Sequence, residues 1–152
     1  MEQNGEARPF PWQERGGLTG HWLKRAYTAM RRQLETELRQ LGLTHAQWSA
    51  LGLLYYREGL THTDLERHML IEAPSITSLI TGMEKKGWVE RRQHPMDARI
   101  KQIYITEQGR RMIEPALQLG KEGDERLKGL LSETELNQLK ETLRKIALHL
   151  EG

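Results

Sequence analysis

Polar groups that exchange hydrogen bonds, and cations that neutralise phosphate, crowd into one stretch of this chain between Glu72 and Thr106. Ser75, Thr77, Ser78, Thr81 and Lys85 come first, spaced for the outward side of a helix at about 100° per residue. Arg91, Arg92, His94, Arg99 and Lys101 follow within a short polar segment. From Glu84 to Lys101 the basic residues Lys85, Lys86, Arg91, Arg92, Arg99 and Lys101 outnumber Glu84, Glu90 and Asp97, so the segment is positive. From Glu107 onward acidic and basic residues nearly balance, and the whole chain carries only +2. A positive patch on a neutral body is the footprint of a nucleic-acid-binding module. Taken alone, the Ser/Thr face also fits a plain solvated surface, and it is the adjoining basic segment that favours DNA.

Two elements must position these groups. Pro74 suits the first turn of a helix, where a missing N–H costs nothing. Ile76, Leu79, Ile80 and Met83 recur at i, i+3, i+4 and i+7, giving that helix one buried stripe, and Gly87 stops it. Trp88 to Arg92 then reads as a short strand, His94-Pro95-Met96-Asp97 as a turn, and Ile100 to Ile105 as a second strand. The expected hairpin has a loop of six or seven residues, longer than the common case. Arg91 and Arg92 alternate on the strand, so at most one faces DNA directly. Helix followed by basic hairpin is the form of a winged helix, in which the helix enters the major groove and the hairpin touches its flank. His94 at the tip is placed to meet a phosphate or groove.

These residues also resemble a family. Asp97-Ala98-Arg99, then five residues, then Ile105-Thr106, is similar to the D-x-R-x5-[L]-T signature of the MarR family of bacterial transcriptional regulators. Met83-Glu84-Lys85-Lys86-Gly87-Trp88-Val89-Glu90-Arg91 resembles the same family's helix-to-wing junction, and Gly109 follows Thr106 at its T-x-x-G spacing. The resemblance extends from about Leu18 to the C-terminus. It implies that Arg99 reaches the minor groove while Asp97 braces the wing. The family often carries arginine on the outward face of the helix, where Ser78 and Gly82 stand here. The DNA-facing set expected is therefore Ser75, Thr77, Ser78, Thr81, Lys85, Arg92, His94 and Arg99. The partner expected is double-stranded DNA with a pseudo-palindromic operator.

The remaining chain reads as support. Its 152 residues suit one domain, or one domain with dimerisation arms. A hydrophobic content of 37% and a mean hydropathy of −0.72 are low for a self-contained globule, and favour amphipathic helices that share a core with a second subunit. Residues 1–16 are a polar segment expected to be flexible. Residues 17–43 hold a helix striped by Leu23, Tyr27, Met30, Leu34, Leu38 and Leu41. Residues 44–107 form the winged helix-turn-helix, opening on the capping patterns Thr44-His45-Ala46-Gln47 and Thr61-His62-Thr63-Asp64. Residues 108–152 hold the last helices. Pro115 must kink or interrupt the first of them, and the capping box Ser132-Glu133-Thr134-Glu135 opens the final one. Leu23, Leu136, Leu139, Leu143, Ile146 and Leu150 are the expected dimer contacts. The fold class is mainly α with a small β-hairpin wing.

Other chemistry finds little footing. With no cysteine there is neither a disulfide nor a thiolate site, and the six histidines show no metal-binding spacing, so surface or capping roles and no cofactor are expected. No G-x-S-x-G, phosphate-binding glycine loop or paired-carboxylate signature suggests an enzyme. Without a signal peptide or an apolar run near the ~20 residues of a membrane span, the expected location is cytoplasmic. The resemblance further implies a homodimeric repressor released by a small molecule, a phenol or aromatic acid, near His21, Trp22, Tyr27, Trp48 and Tyr55. The competing reading is a winged helix used as a protein-interaction or assembly module without specific DNA readout.

Overall fold

A computed structural model describes residue 10 and residues 16–152; the leading segment 1–16 otherwise lies outside the described residues. Helix α1 spans Thr19–Gln40 and closes on Gly42, whose φ of 75° is the left-handed geometry of a helix-ending glycine. Helix α2 (His45–Tyr56) begins with the expected capping box, Thr44 exchanging hydrogen bonds with Gln47. It lies centrally, with Ala50, Leu51 and Leu54 buried against α1, α3, α4 and α5. Helix α3 (His62–Met69) starts on the second box, between Thr61 and Asp64. Helix α4 (Ala73–Lys85) has proline in its first turn and buries Ile76, Ile80 and Met83 completely. At about 1.5–3 kcal/mol per buried side chain, that stripe fixes which face of α4 remains outside.

The wing is a three-stranded antiparallel sheet in the order β1-β3-β2. Strand β1 is only Leu60–Thr61, too short to leave a pattern in the sequence, and it pairs with Ile103 and Gln102. Strands β2 (Val89–His94) and β3 (Asp97–Ile105) correct the expected long loop, because only Pro95 and Met96 link them. Pairing runs in register from Val89 with Ile105 to Gln93 with Lys101, then jumps to His94 with Asp97. The jump leaves Ala98, Arg99 and Ile100 bulged out of the ladder, which is why the charged stretch shows no strand-like alternation.

Beyond the wing, α5 (Glu107–Ile113) gives way at Pro115 to a 3₁₀ turn (Glu114–Ala116), and α6 (Leu119–Leu130) follows. Trp48 of α2 donates its indole N–H to the Ala116 carbonyl at 2.8 Å, pinning this break to the core. The last helix, α7 (Glu133–Glu151), opens on the Ser132/Glu135 capping box and is held to α6 by Lys140 and Asp124 at 2.6 Å.

Gly109 is required by close approach. A Cβ there would lie 2.1 Å from the Trp88 carbonyl oxygen and 2.9 Å from Ile105, both in the wing base. Gly109→Ala should destabilise the fold by about 1–3 kcal/mol or more, since backbone rather than a flexible side chain must yield. Urea unfolding of the variant checks this; an unchanged midpoint would mean that α5 shifts freely against the wing.

Candidate nucleic-acid interface

The buried stripe of α4 leaves Ser75, Thr77, Ser78 and Lys85 exposed and Thr81 half-buried beside the wing. Their hydroxyls are not equivalent. The Thr77 hydroxyl donates back to the Ala73 carbonyl at 3.1 Å, so its oxygen faces outward as an acceptor. Thr81 Oγ1 instead accepts from Arg91 Nη2 at 2.9 Å. Arg91 also places Nε 3.1 Å from Glu84, so one guanidinium joins β2 to two positions on α4. Sequence reasoning left Arg91 out of the site. Its only signal was the alternation with Arg92, which cannot show what a strand residue meets on a helix.

The structure sends Arg92 to the other side of the hairpin. Its guanidinium lies 4.1 Å from the centre of the Tyr104 ring and pairs with Glu90 at 2.7 Å. His94 is half-buried at the tip, where Nδ1 accepts the Met96 N–H at 3.1 Å and closes the turn. Arg99, carried on the bulge, has a side chain 90% exposed. Asp97 Oδ1 accepts its backbone N–H at 3.0 Å and its Nε at 3.1 Å, while Oδ2 accepts Nη2 at 3.1 Å. These bonds hold the Asp97 carboxyl below the usual carboxylate range and raise Arg99 in return. Asp97 and Arg99 thus form a preset fork at the wing tip, oriented before any partner arrives.

Each carboxylate from the end of α4 through the wing tip is matched to an arginine: Glu84 with Arg91, Glu90 with Arg92, Asp97 with Arg99. Among the described residues no ion pair engages Lys85, Lys86 or Lys101, so their charges are left unmatched at the end of α4 and along β3. Exposed cations of this kind set phosphate attraction and its salt dependence.

The five aromatic residues expected around one effector do not share a cavity. Trp48 lines an apolar cavity of about 320 Å³ with Leu53, Tyr56, Leu60 and Leu117, and Arg57 and His68 add its polar groups. Tyr27 lines a separate groove between α1 and α6. Tyr55 packs edge-on against Tyr56 and under Arg110, while His21 and Trp22 meet each other edge-on at the start of α1. Their separation follows from helix packing, which spacing alone does not reveal.

The fold and the α4–wing surface define a winged-helix DNA-binding regulator. The MarR family matches residues 43–101. The chain is 31% identical to an uncharacterized HTH-type transcriptional regulator of Bacillus cereus over 134 residues, covering 86% of this chain and 88% of that one. Its structure is similar to the MepR–DNA complex of S. aureus, with a TM-score of 0.80, 26% identity, and coverage of 87% of this chain and 98% of MepR. It is also similar to CouR of Rhodococcus jostii RHA1 bound to p-coumaroyl-CoA, with a TM-score of 0.73, 29% identity, and coverage of 84% of this chain and 90% of CouR. The chain belongs to the MarR family of transcriptional regulators, which are DNA-binding proteins and not enzymes. No helix among the described residues is long and apolar enough to cross a membrane.

Arg99→Ala should weaken DNA binding by about 1–3 kcal/mol, as loss of a groove or bridging phosphate contact would, with the melting temperature nearly unchanged. Unaltered affinity at matched salt would remove the wing tip from the interface. A second expectation concerns pH. Burial lowers the pKa of His62 below its ordinary 6.5, the Arg91 charge adds to this, and its Nε2 is buried without a hydrogen-bond partner. Burial likewise lowers His45, with Arg31 adding to it. With folded pKa values depressed, the unfolded chain takes up protons first, so this stability is present above about pH 6.5 and lost as pH falls below it. The urea midpoint should drop between about pH 7.5 and 5.5, and His62→Gln should flatten the drop. A slope identical in the variant would exclude His62.

Proposed function

We propose that the chain acts as a homodimeric repressor that occupies a pseudo-palindromic operator through α4 and the wing and is released by a small aromatic effector. DNA would be contacted by Ser75, Thr77, Ser78, Thr81, Lys85, Arg92, His94 and Arg99, with Asp97 bracing the last. The observation that carries the dimer is the apolar stripe of α7. Leu139, Leu143 and Ile146 remain 37–39% exposed and Leu150 78%, with Leu23, Trp22, Tyr27 and Met30 also exposed along α1. Leu136 departs from the expected set: at 4% exposure it is already buried within its own protomer and has little surface left for a partner. A contiguous exposed stripe of this kind marks an interaction surface. In this reading residues 17–43 and 108–152 supply the dimer and residues 44–107 read DNA, with two α4 helices set about 34 Å apart to enter successive major grooves.

The Trp48 cavity suits the effector. Its walls are aromatic and aliphatic, while Arg57 offers a cation to a carboxylate. The similar CouR structure holds an aromatic acyl-CoA, p-coumaroyl-CoA, which supports this class of ligand.

Leu143→Glu tests the dimer. A leucine buried in such an interface contributes about 2 kcal/mol, and two-fold symmetry counts the loss twice. The variant should sediment as monomer, or be insoluble, at micromolar concentration and lose most affinity for a two-half-site operator. A stable dimer with normal operator affinity would assign the α7 stripe to packing within one subunit.

A further inference from the structure

We infer that Arg91 is a positioning residue that occupies one lone pair of Thr81 Oγ1 and leaves its hydrogen free for DNA, so that α4 favours hydrogen-bond-accepting base edges at that point. The inference rests on the reading of α4 as the DNA-contacting helix. A threonine hydroxyl has one hydrogen to give and lone pairs that accept, and it normally rotates to suit its partner. Here that rotation is constrained. Arg91 Nη2 donates to Thr81 Oγ1 at 2.9 Å, and a guanidinium cannot accept in return. The Thr81 O–H is therefore directed away from Arg91, and among the described residues no protein acceptor takes it. One helical turn earlier, the Thr77 hydroxyl has given its hydrogen to the Ala73 carbonyl and can only accept. Adjacent turns of one helix thus differ: Thr77 can only accept, whereas Thr81 still has its hydrogen to give.

Arg91 is well fixed for this role. Its Nε lies 3.1 Å from Glu84, one turn from Thr81, and its side chain is only 32% exposed. The neighbouring strand position Val89 is buried in the wing base, so the stem of β2 cannot swing freely. Engaged on α4 by both Glu84 and Thr81, Arg91 acts on Thr81. In the major groove the Thr81 O–H can donate to guanine N7 or O6, adenine N7 or thymine O4, whereas cytosine presents only an amino donor. Thr81 should then disfavour cytosine at the base it faces.

The test uses the full-length protein and selection from random duplex DNA, followed by binding to the selected site and to random duplex across a salt series. Thr81→Ser keeps the hydroxyl and should retain the selected base. Thr81→Val removes the hydroxyl at constant shape and should admit cytosine at one position, losing about tenfold in affinity for the selected site. Arg91→Gln should relax the same position, the double variant should lose no more than either single one, and the salt slope should stay unchanged. Glu84→Gln, a milder change should Arg91→Gln fold poorly, should move the preference in the same direction by less. Two results would overturn the inference while leaving DNA binding intact. One is an Arg91→Gln protein weakened equally on selected and random DNA, with the salt slope lower by about one unit, which marks a phosphate contact. The other is a Thr81→Val protein with an unaltered site. A wild-type chain that selects no sequence would instead bring down the functional reading beneath it.

Discussion

One hydroxyl group joins the three working parts of this molecule. Thr106 Oγ1 donates to the Gly87 carbonyl at 2.6 Å, where α4 ends, and accepts the Gly109 N–H at 3.0 Å, where α5 begins. The Thr106 backbone N–H meanwhile donates to the Trp88 carbonyl at 3.0 Å, at the root of the wing. The absence of a side chain at Gly109 allows α5 to press onto that same carbonyl. Helix α4, the hairpin and the helices that follow therefore leave a single junction in fixed directions. The T-x-x-G spacing is the sequence trace of this geometry, because threonine caps the helix and glycine makes room for it.

Electrostatics at the wing depend on that rigidity. With each arginine matched to a carboxylate, the ion pairs are exposed and contribute little to stability on their own. Their effect is to orient. The Asp97–Arg99 fork uses both carboxylate oxygens, and a planar guanidinium held this way loses less freedom on meeting DNA than a free side chain would. Attraction is left to Lys85, Lys86 and Lys101, whose single charges need no fixed direction. Orientation and attraction are thus assigned to different residues.

What the sequence discloses follows how local each cause is. The α4 stripe, the capping boxes and the break at Pro115 depend on neighbours within a few residues, and they appear in the structure where the pattern places them. Strand β1 was hidden because two residues carry no periodicity, and the true hairpin turn because the bulge at Ala98–Ile100 removes it. Leu136 and Leu139 belong to one stripe, yet only the first is buried within the protomer, a difference that tertiary packing and not spacing creates. Arg91 illustrates the same limit. Its charge is legible, but its partners on α4 are reached only after Gly87 reverses the chain.

The placement of the Trp48 cavity gives the proposed control a physical route. Leu60 forms part of its wall and stands in β1 opposite Ile103 of β3, which in turn stands opposite Arg91 of β2. A single cross-strand row thus runs from the cavity to the guanidinium that grips Thr81. Leu117, also in the lining, follows Ala116, the residue whose carbonyl Trp48 holds beside the break leading to α6. A ligand wedged into this cavity would act on both at once. Pressure on Leu60 would be felt along the row at α4, and pressure on Leu117 at the root of the helices proposed to set the spacing between subunits. Tight packing transmits such shifts because the fully buried Ile103 at the centre of the row has no space in which to absorb them. Binding in this one cavity would therefore change both the orientation of the reading helix and the distance to its counterpart, the two quantities on which recognition of a two-fold operator depends.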